Sequence, residues 1–321
     1  MDGLLTILRA LADPSRVRIL LLVRRMELSV GELAAVLGQS QPRVSRHLRI
    51  LADAGLLTRA KEGAWVFVRL GAAGLSAPVL AAIDALAAAT GAADPGAADR
   101  ARLETVRAER AAAADAWFAG HAADWDRERS LHIAEDEVEA AILLALGDAD
   151  LGRLVDVGTG TGRMIELLGA RAGAALGIDR SPEMLRLARG RIDASGLAHA
   201  EVRRGDMYAL PGGDGSADTV VLHQVLHFAD DPAAVIGEAA RLLAPGGRLA
   251  VVDFMPHERE DMRSQQRHVR LGFGDAQVLG WMAAAGLSAR VAAQMPAPQG
   301  LGVTLWLGTR ARVPHEVRRV A

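Results

Sequence analysis

Three glycines in one short segment, followed at a distance by an aspartate, form the first pattern in this sequence that could bind a ligand. Residues 153–162 read RLVDVGTGTG, which predicts a short buried strand and a glycine-rich turn that opens a helix. Glycines at such a turn let the backbone approach a ligand that a Cβ would exclude. A second strand is predicted at 174–178, and Asp179 follows it, 21 residues after Gly158. A carboxylate at that place can accept both hydroxyls of a ribose, although this much also fits a dinucleotide-binding domain.

Two histidines, His223 and His227, follow a β-branched run at residues 218–222 and are the candidates for acid–base chemistry. Either could act as a general base because histidine titrates near neutral pH, and a hydrogen-bonded histidine at the rim of a pocket is the alternative. Their spacing of four residues also suggests a metal site. However, the glutamate of an HExxH motif is missing, and His223 ends a predicted strand. The sequence therefore predicts no metal site and leaves the catalytic residues unknown, with these two as candidates.

Basic and polar residues cover one side of a predicted helix at 41–54, which follows a helix at 29–37 and a turn at Gly38. This is helix-turn-helix spacing. Val44, Leu48 and Leu51 follow an i, i+4, i+7 pattern and must be buried, so the remaining polar side chains are available to base edges and phosphates in a major groove. The residues that we predict to bind DNA are Ser40, Gln41, Arg43, Ser45, Arg46, His47, Arg49 and, in the hairpin that follows, Lys61.

The elements that must position this helix are also marked in the sequence. Asp13 precedes a proline and predicts a helix start, and Ser29 with Glu32 has the capping-box pattern. Residues 57–70 predict two strands around a turn at 61–63, with basic residues near its tip. Together these features predict a winged helix-turn-helix, and a small helical bundle with a solvated arginine face is the alternative.

The distribution of charge and composition divides the chain into parts. Residues 1–70 carry 11 Arg/Lys against 6 Asp/Glu, a net charge of +5, and the remainder carries 26 against 33, a net charge of −7. Only the first part is therefore expected to meet a polyanion. From residue 152 onward, β-branched runs alternate with helices, which is typical of a parallel sheet. We predict a DNA-binding and dimerisation domain at 1–90, a linker at 91–103, and an α/β domain at 104–321.

Two absences restrict the chemistry and the location. The chain has no cysteine, which excludes disulfides, thiolate nucleophiles and thiolate metal sites. No stretch of 18 or more residues is uncharged and strongly apolar, so no membrane span is expected. A cytoplasmic protein is predicted.

The first part of the chain resembles the ArsR/SmtB winged-helix repressors. The resemblance covers about residues 3–72 and depends on ALADPSRVRIL at 10–20 and SQPRVSRHLRIL at 40–51. It implies a homodimer that binds an inverted repeat in double-stranded DNA. The helix at 73–90 would match the dimerisation helix, and a simple connector is the alternative. The family's thiolate positions match Ser29 and Gly31 here, so an effector other than a thiolate-bound metal is expected.

Residues 105–310 resemble class I methyltransferases, particularly the small-molecule branch that is similar to ubiquinone-biosynthesis methyltransferases. After the glycine turn, the resemblance depends on VRRGDM at 202–207 and LLAPGGRLAVVD at 242–253. It implies a Rossmann-like, seven-stranded mixed sheet with an antiparallel hairpin at its edge, and S-adenosylmethionine as the cofactor. A nucleotide-fold domain for another ligand is the alternative.

The same likeness implies a role for each matching residue. Asp156, Gly158 and Gly160 would line the methionine moiety, and Asp179 would hold the ribose with Ser181 and Met184 beside it. Asp206 would accept from the adenine amino group, Met207 would pack on the adenine ring, and His223 would lie at the rim of the pocket.

The whole chain is thus predicted to be an α/β protein with an N-terminal winged helix-turn-helix and a C-terminal methyltransferase fold. The first functional hypothesis is a transcriptional regulator that senses S-adenosylmethionine or S-adenosylhomocysteine and controls genes of methionine and methyl-group metabolism. The alternative is an active methyltransferase for an unknown small molecule, with an autoregulatory winged helix, and one protein could do both. Without cysteine, arsenite methylation and cytosine-C5 methylation are not expected, and the motif for amino methylation of DNA bases is replaced by HQVL at 223–226.

Overall fold

The computed structural model of the chain describes residues 2–26, 28–62, 65–90, 96–121, 135–297 and 301–312. Backbone contacts divide it into two compact units, Met1–Ala113 and Ala114–Ala321. The first unit contains a three-stranded sheet, and the second contains a seven-stranded sheet. The domain limits predicted from the sequence stay a prediction. None of the described helices is long and apolar enough to cross a membrane.

The first unit has the order of elements expected for a winged helix. Its elements are α1 (Asp2–Leu11), α2 (Pro14–Val23), β1 (Leu28–Ser29), α3 (Val30–Leu37), α4 (Gln41–Asp53), β2 (Leu57–Glu62), β3 (Trp65–Leu70), α5 (Ala73–Ala89) and α6 (Ala97–His121), which continues beyond the end of this unit. The strands are antiparallel in the order β1-β3-β2. The wing is therefore the β2–β3 hairpin, and the tip residues Gly63 and Ala64 lie outside the described part of the chain.

The predicted helix starts are confirmed. The Asp13 side chain accepts from the backbone N–H groups of Ser15 and Arg16 at the start of α2. Ser29 and Glu32 form the reciprocal capping box of α3, and α3 ends at Gly38 in the left-handed conformation. These side chains accept hydrogen bonds from N–H groups that have no partner within the helix, and Glu32 also accepts from the backbone N–H of Ser29.

The beginning of α6 packs on the first unit. Asp99 is 2% exposed and its carboxylate receives two hydrogen bonds from the Arg18 guanidinium on α2, at 2.6 and 2.5 Å. Leu103 is 1% exposed and belongs to the same hydrophobic cluster as Ile19 and Leu33. Residues that follow the proline- and glycine-rich segment therefore contribute to the core of the winged-helix unit.

The second unit alternates strands and helices. Its elements are α7 (Glu135–Leu146), β4 (Gly152–Val157), α8 (Arg163–Leu168), β5 (Ala172–Asp179), α9 (Pro182–Ala194), β6 (Ala200–Arg204), β7 (Ala217–His223), α10 (Pro232–Leu242), β8 (Leu243–Phe254), α11 (Asp261–Gln266), α12 (Asp275–Ala284), β9 (Leu287–Met295) and β10 (Val303–Arg310). A 3₁₀ turn, Gly169–Arg171, precedes β5, and another, Leu226–Phe228, follows β7.

The strand order is β6-β5-β4-β7-β8-β10-β9; β10 runs antiparallel to both of its neighbours, β8 and β9, and the other pairs are parallel. The predicted seven-stranded mixed sheet, with its antiparallel hairpin at one edge, is confirmed. Along β7, Val220 and Leu222 pack in one hydrophobic cluster and Val221 in the other, so the sheet is buried on both faces. The chain order reverses between β4 and β7, and ligands of open α/β sheets bind at the carboxyl ends of the strands at such a point.

Candidate functional sites

The turn after β4 has a backbone that requires glycine. Gly158, Gly160 and Gly162 have φ of +71°, +52° and +85°, a region that L-residues rarely adopt. A Cβ at Gly158 would lie 2.3 Å from Cγ2 of Val225, which follows β7. The backbone N–H of Gly158 donates to the carbonyl oxygen of Ile178 in β5 at 2.8 Å. The turn is therefore held against β5 and the segment after β7. At its three glycines it presents backbone without a side chain at the carboxyl ends of the strands.

Asp179 connects this turn to the next helix. One carboxylate oxygen accepts from the backbone N–H of Gly160 and the other from that of Ser181, both at 2.8 Å. A carboxylate can accept roughly four hydrogen bonds, so it can hold the turn and still accept from a ligand hydroxyl. Ser181 and Met184 are buried: the Ser181 hydroxyl caps α9 by accepting from the Met184 N–H at 3.2 Å. The structure thus brings these predicted residues together with the glycine turn.

The remaining predicted cofactor residues lie at the ends of neighbouring strands. Asp156 is 1% exposed near the end of β4. Asp206 is exposed just beyond β6 and accepts from the backbone N–H of Tyr208 at 3.0 Å, while Met207 is half-buried against the hydrophobic core. His223 ends β7 and is 9% exposed. The assignment of these side chains to parts of a cofactor stays a prediction.

The candidate His227, in the turn after β7, has a buried hydrogen-bond partner that the sequence did not reveal. His227 lies in the 3₁₀ turn, and its Nδ1 is 2.8 Å from Oδ1 of Asp253 in β8. Both residues are almost completely buried, with 2% and 0% exposure. His223 ends the strand and His227 lies in the turn, so the two do not share a helical face. Among the described residues, no group of three or more histidines, cysteines and carboxylates is arranged to hold a metal ion.

The recognition helix α4 exposes most of its predicted DNA-binding residues. Arg43, Arg46 and Arg49 are exposed, as are Ser40, Gln41 and, on β2, Lys61, and Ser45 is half-buried. His47 differs, because it is 8% exposed. It continues the buried stripe of Val44, Leu48 and Leu51 at the i+3 position. Burial lowers its pKa, and the carboxylate of Asp13, 3.9 Å away, partly opposes that effect.

Comparison with known proteins gives two family-model matches, one in the N-terminal part of the chain and one in the C-terminal part. A family model described as "Bacterial regulatory protein, arsR family" matches residues 13–59. A second, described as "Methyltransferase domain", matches residues 155–251. The first match contains α3 and α4, and the second begins in β4 and ends in β8. Both therefore coincide with the candidate sites.

Individual relatives each match a part of the chain. A demethylmenaquinone methyltransferase of Thermus thermophilus is 44% identical over 121 residues, 36% of this chain and 53% of that protein. An arsenite methyltransferase of Aquipseudomonas alcaligenes is 34% identical over 131 residues, 37% of this chain and 38% of that protein. The arsenical resistance operon repressor of Escherichia coli K12 is 48% identical over 63 residues, 19% of this chain and 54% of that protein.

The chain thus spans only 38% to 54% of the length of these relatives. The chain joins an arsR-family regulatory domain at residues 13–59 to a methyltransferase domain at residues 155–251.

Proposed function

We propose that this protein is a cytoplasmic transcriptional regulator whose affinity for DNA changes when its methyltransferase domain binds S-adenosylmethionine or S-adenosylhomocysteine. The observation that carries the proposal is the presence, in one chain without cysteine, of an exposed arginine face on α4 and a complete glycine turn with Asp179. The arsR-type half lacks the thiolates that would bind a soft metal, and the other half offers a ligand site instead.

The cofactor that the methyltransferase fold implies fits the residues present. Gly158, Gly160 and Gly162 have positive φ and carry no Cβ, and glycines at such a turn let a ligand approach the backbone. Asp179 is fixed beside it as an acceptor for ribose hydroxyls, and Asp206 and Met207 would hold the adenine. When bound, S-adenosylmethionine supplies an activated methyl group. A regulator needs only the binding, whereas an enzyme also needs an acceptor.

A dimer on an inverted-repeat operator is part of the proposal. Leu4, Leu5 and Leu8 on α1 are 56%, 41% and 53% exposed, and Leu86 on α5 is 66% exposed. The three leucines of α1 are three or four residues from one another along one helix, and large apolar side chains grouped at the surface indicate an interface. A second copy of the chain is the partner that would also present a second recognition helix to the other half-site.

Regulation requires that the ligand bind the DNA-competent and the DNA-incompetent forms with different affinity. Such couplings are typically about 1–3 kcal/mol, or roughly 5- to 150-fold in DNA affinity. The genes of methionine and methyl-group metabolism are the targets that such a ligand suits. The direction of the change, release or tighter binding, is an outcome of the measurement.

The test is binding of the purified full-length protein to its own upstream DNA, titrated with each of the two ligands at fixed salt. We expect DNA affinity to change at least several-fold with one ligand, and the Asp179→Ala variant to lose that change. Asp193→Ala, which removes an exposed carboxylate from α9, is the matched control and keeps it. DNA affinity that is the same with and without both ligands would contradict the proposal.

The second candidate function is methyl transfer to a small molecule, alone or together with regulation. The observation that favours it is the buried His227–Asp253 pair at the carboxyl ends of β7 and β8. The relatives named above include methyltransferases for demethylmenaquinone and for arsenite. Because this chain has no cysteine, thiolate-held arsenic is not a suitable acceptor, and the acceptor must be inferred from the residues themselves.

A further inference from the structure

A cavity lies among α2, α5 and the beginning of α6 in the winged-helix unit. Its volume is about 330 Å³, which is within the range of small-molecule sites. The described residues that line it all belong to the first unit. No residue of the recognition helix α4 or of the glycine turn after β4 is among them. The cavity is therefore a candidate binding site that neither of those features explains.

The charges in the lining determine which kind of ligand this cavity can hold. The described lining contains four guanidinium groups and two carboxylates, which gives a formal charge of +2. The guanidinium groups belong to Arg18, Arg24, Arg25 and Arg100, and the carboxylates to Asp84 and Asp99. A ligand with two negative charges balances this lining, whereas a cation would add to its positive charge.

Both carboxylates of the lining already accept hydrogen bonds from arginines. Asp99 accepts from Nε and Nη2 of Arg18 at 2.6 and 2.5 Å, and both oxygens of Asp84 accept from Nη1 of Arg24 at 2.9 and 2.7 Å. Arg25 is exposed and follows the C-cap residue of α2. Because a guanidinium group binds carboxylate or phosphate oxygens in pairs, Arg25 is suited to hold an anion at this cavity.

The rest of the described lining is almost entirely apolar. Apart from Gly96, its remaining members are Leu21, Leu22, Ile83, Ala87 and Ala88. Ligand sites commonly combine apolar walls with a few polar groups that fix the orientation of the ligand. A short apolar body attached to the anionic group would therefore find a matching surface on α2 and α5.

The cavity and the proposed dimer contact use different sides of α5. The lining residues of this helix are 83, 84, 87 and 88, which share one side of a helix with 3.6 residues per turn. Leu86, which is 66% exposed, does not line the cavity and lies on another side of the helix. The side of α5 that would meet a second copy therefore differs from the side that would contact a ligand.

The beginning of α6 connects the cavity to the helix-turn-helix. Asp99 lines the cavity, and Arg102, three residues later, donates from Nη1 to the carbonyl oxygen of Val36 in α3 at 3.3 Å. Leu103 is buried in the same hydrophobic cluster as Leu33 of α3. A ligand that holds α6 against α2 would also stabilise these contacts with α3, the helix that precedes the recognition helix.

We propose that this cavity is a second effector site of the regulator, and that it binds a small organic dianion with a short apolar body. A phosphate monoester, which carries about −1.5 to −2 at pH 7, and a dicarboxylate both have this chemistry. Arg25 and its neighbouring guanidinium groups hold the anionic group. The inference goes beyond the proposed function, because it requires neither S-adenosylmethionine nor Asp179. Binding changes DNA affinity when the ligand binds the DNA-competent and DNA-incompetent forms unequally.

The first measurement is calorimetric titration of the full-length protein with phenyl phosphate and, separately, with glutarate, at fixed ionic strength. Phenol and glutaramide are the neutral counterparts. We expect at least one dianion to bind saturably, at a single site in each chain. Its neutral counterpart should bind about 10- to 100-fold more weakly, because it lacks charge-assisted hydrogen bonds to guanidinium groups. No saturable binding of either dianion would overturn the proposal.

Two variants test whether the bound dianion lies in this cavity. Arg25→Gln removes an exposed guanidinium group and should weaken binding about tenfold or more, while Arg25→Lys keeps the charge and should lose less. Ala87→Glu adds a carboxylate to the apolar wall and should weaken binding by a similar factor. Ala85→Glu is its matched control, because Ala85 is exposed on α5 outside the lining, and it should bind the dianion normally.

The exposed arginines of α4 are the other place where an anion could bind. Arg46→Gln is the control for that surface and should leave binding of the dianion unchanged. Weaker binding by Arg46→Gln, together with normal binding by Arg25→Gln, would place the anion on the recognition helix and overturn the proposal.

The third measurement is DNA affinity of the full-length protein with and without the dianion that binds, at constant ionic strength. We expect a change of several-fold that Arg25→Gln loses and that Asp179→Ala keeps. Unchanged DNA affinity when the site is saturated would overturn its role as an effector site. The two proposals can fail separately, since absence of any response to S-adenosylmethionine or S-adenosylhomocysteine contradicts only the proposed function, and absence of any response to the dianion contradicts only this inference.

Discussion

At the scale of single residues, the glycine turn after β4 depends on the absence of side chains. Gly158 combines a φ of +71° with a neighbour, Val225, that leaves no room for a Cβ. A residue other than glycine in the left-handed region costs roughly 1–2 kcal/mol, and overpacking typically adds about 1–3 kcal/mol. The backbone would also have to move away from Val225, which would disturb the hydrogen bond from Gly158 to Ile178 beside Asp179. We therefore expect folding and ligand binding to be linked at this one position.

We predict that Gly158→Ala lowers the free energy of unfolding by about 2–5 kcal/mol and abolishes binding of S-adenosylmethionine. Gly190→Ala is the matched control, because Gly190 lies within α9 and a Cβ added there would have no atom within 4 Å. We expect this variant protein to be about 0.5–1 kcal/mol more stable than the unaltered one. Denaturant unfolding and calorimetry measure the two effects. Normal ligand binding by Gly158→Ala would show that the turn is not the cofactor site.

Residue types and spacing predicted the glycine turn and Asp179 because each has a short-range cause: a required φ, or the end of a strand. They did not predict the burial of His47, because a polar residue at the i+3 position of an apolar stripe looks the same whether it faces the core or the groove. They also missed Asp253, whose partner His227 lies 26 residues earlier in the chain. Only the parallel pairing of β7 with β8 brings the two together.

At the scale of elements, α2 offers a comparison between two Arg–Asp pairs. Arg18 pairs with Asp99 of α6, with side-chain exposures of 27% and 3%, and Arg24 pairs with Asp84 of α5, with exposures of 33% and 57%. Removing one partner of a well-buried pair leaves the other charge poorly solvated, whereas exposed pairs contribute little. The first pair therefore anchors the beginning of α6, and the second does not determine the position of α5.

We predict that Asp99→Asn lowers the free energy of unfolding of the full chain by about 1–3 kcal/mol, while Asp84→Asn changes it by less than about 1 kcal/mol. Denaturant titrations of both variants under one salt condition make the comparison. Equal effects of the two substitutions would indicate that Asp99 does not hold α6 on the winged-helix unit. The linker predicted at 91–103 contains Asp99, because neither Pro/Gly content nor periodicity reports a contact with Arg18, 81 residues earlier in the chain.

At the scale of the whole molecule, the positive net charge and most of the exposed large apolar side chains belong to the first unit. The net charge of +5 in residues 1–70, against −7 in the remainder, favours contact with DNA through the first unit alone. The sequence predicted this division and the seven-stranded sheet, because both follow from patterns that are repeated over many residues. It did not reveal the exposed leucines of α1, since an amphipathic helix has the same periodicity whether its apolar face meets the core or a second copy.

We predict that the full-length protein is a dimer at micromolar concentration and that Leu8→Glu combined with Leu86→Glu converts it to a monomer, because two charges would have to be buried at the interface. Leu144→Glu is the control: Leu144 is 84% exposed on α7 of the second unit, and its replacement leaves the dimer intact. Sedimentation measures the mass of each variant, and binding to an inverted repeat and to a single half-site measures the consequence. The double variant should lose its preference for the inverted repeat, since only a dimer gains from the second half-site. A monomeric unaltered protein that still prefers the inverted repeat would contradict this account of both helices.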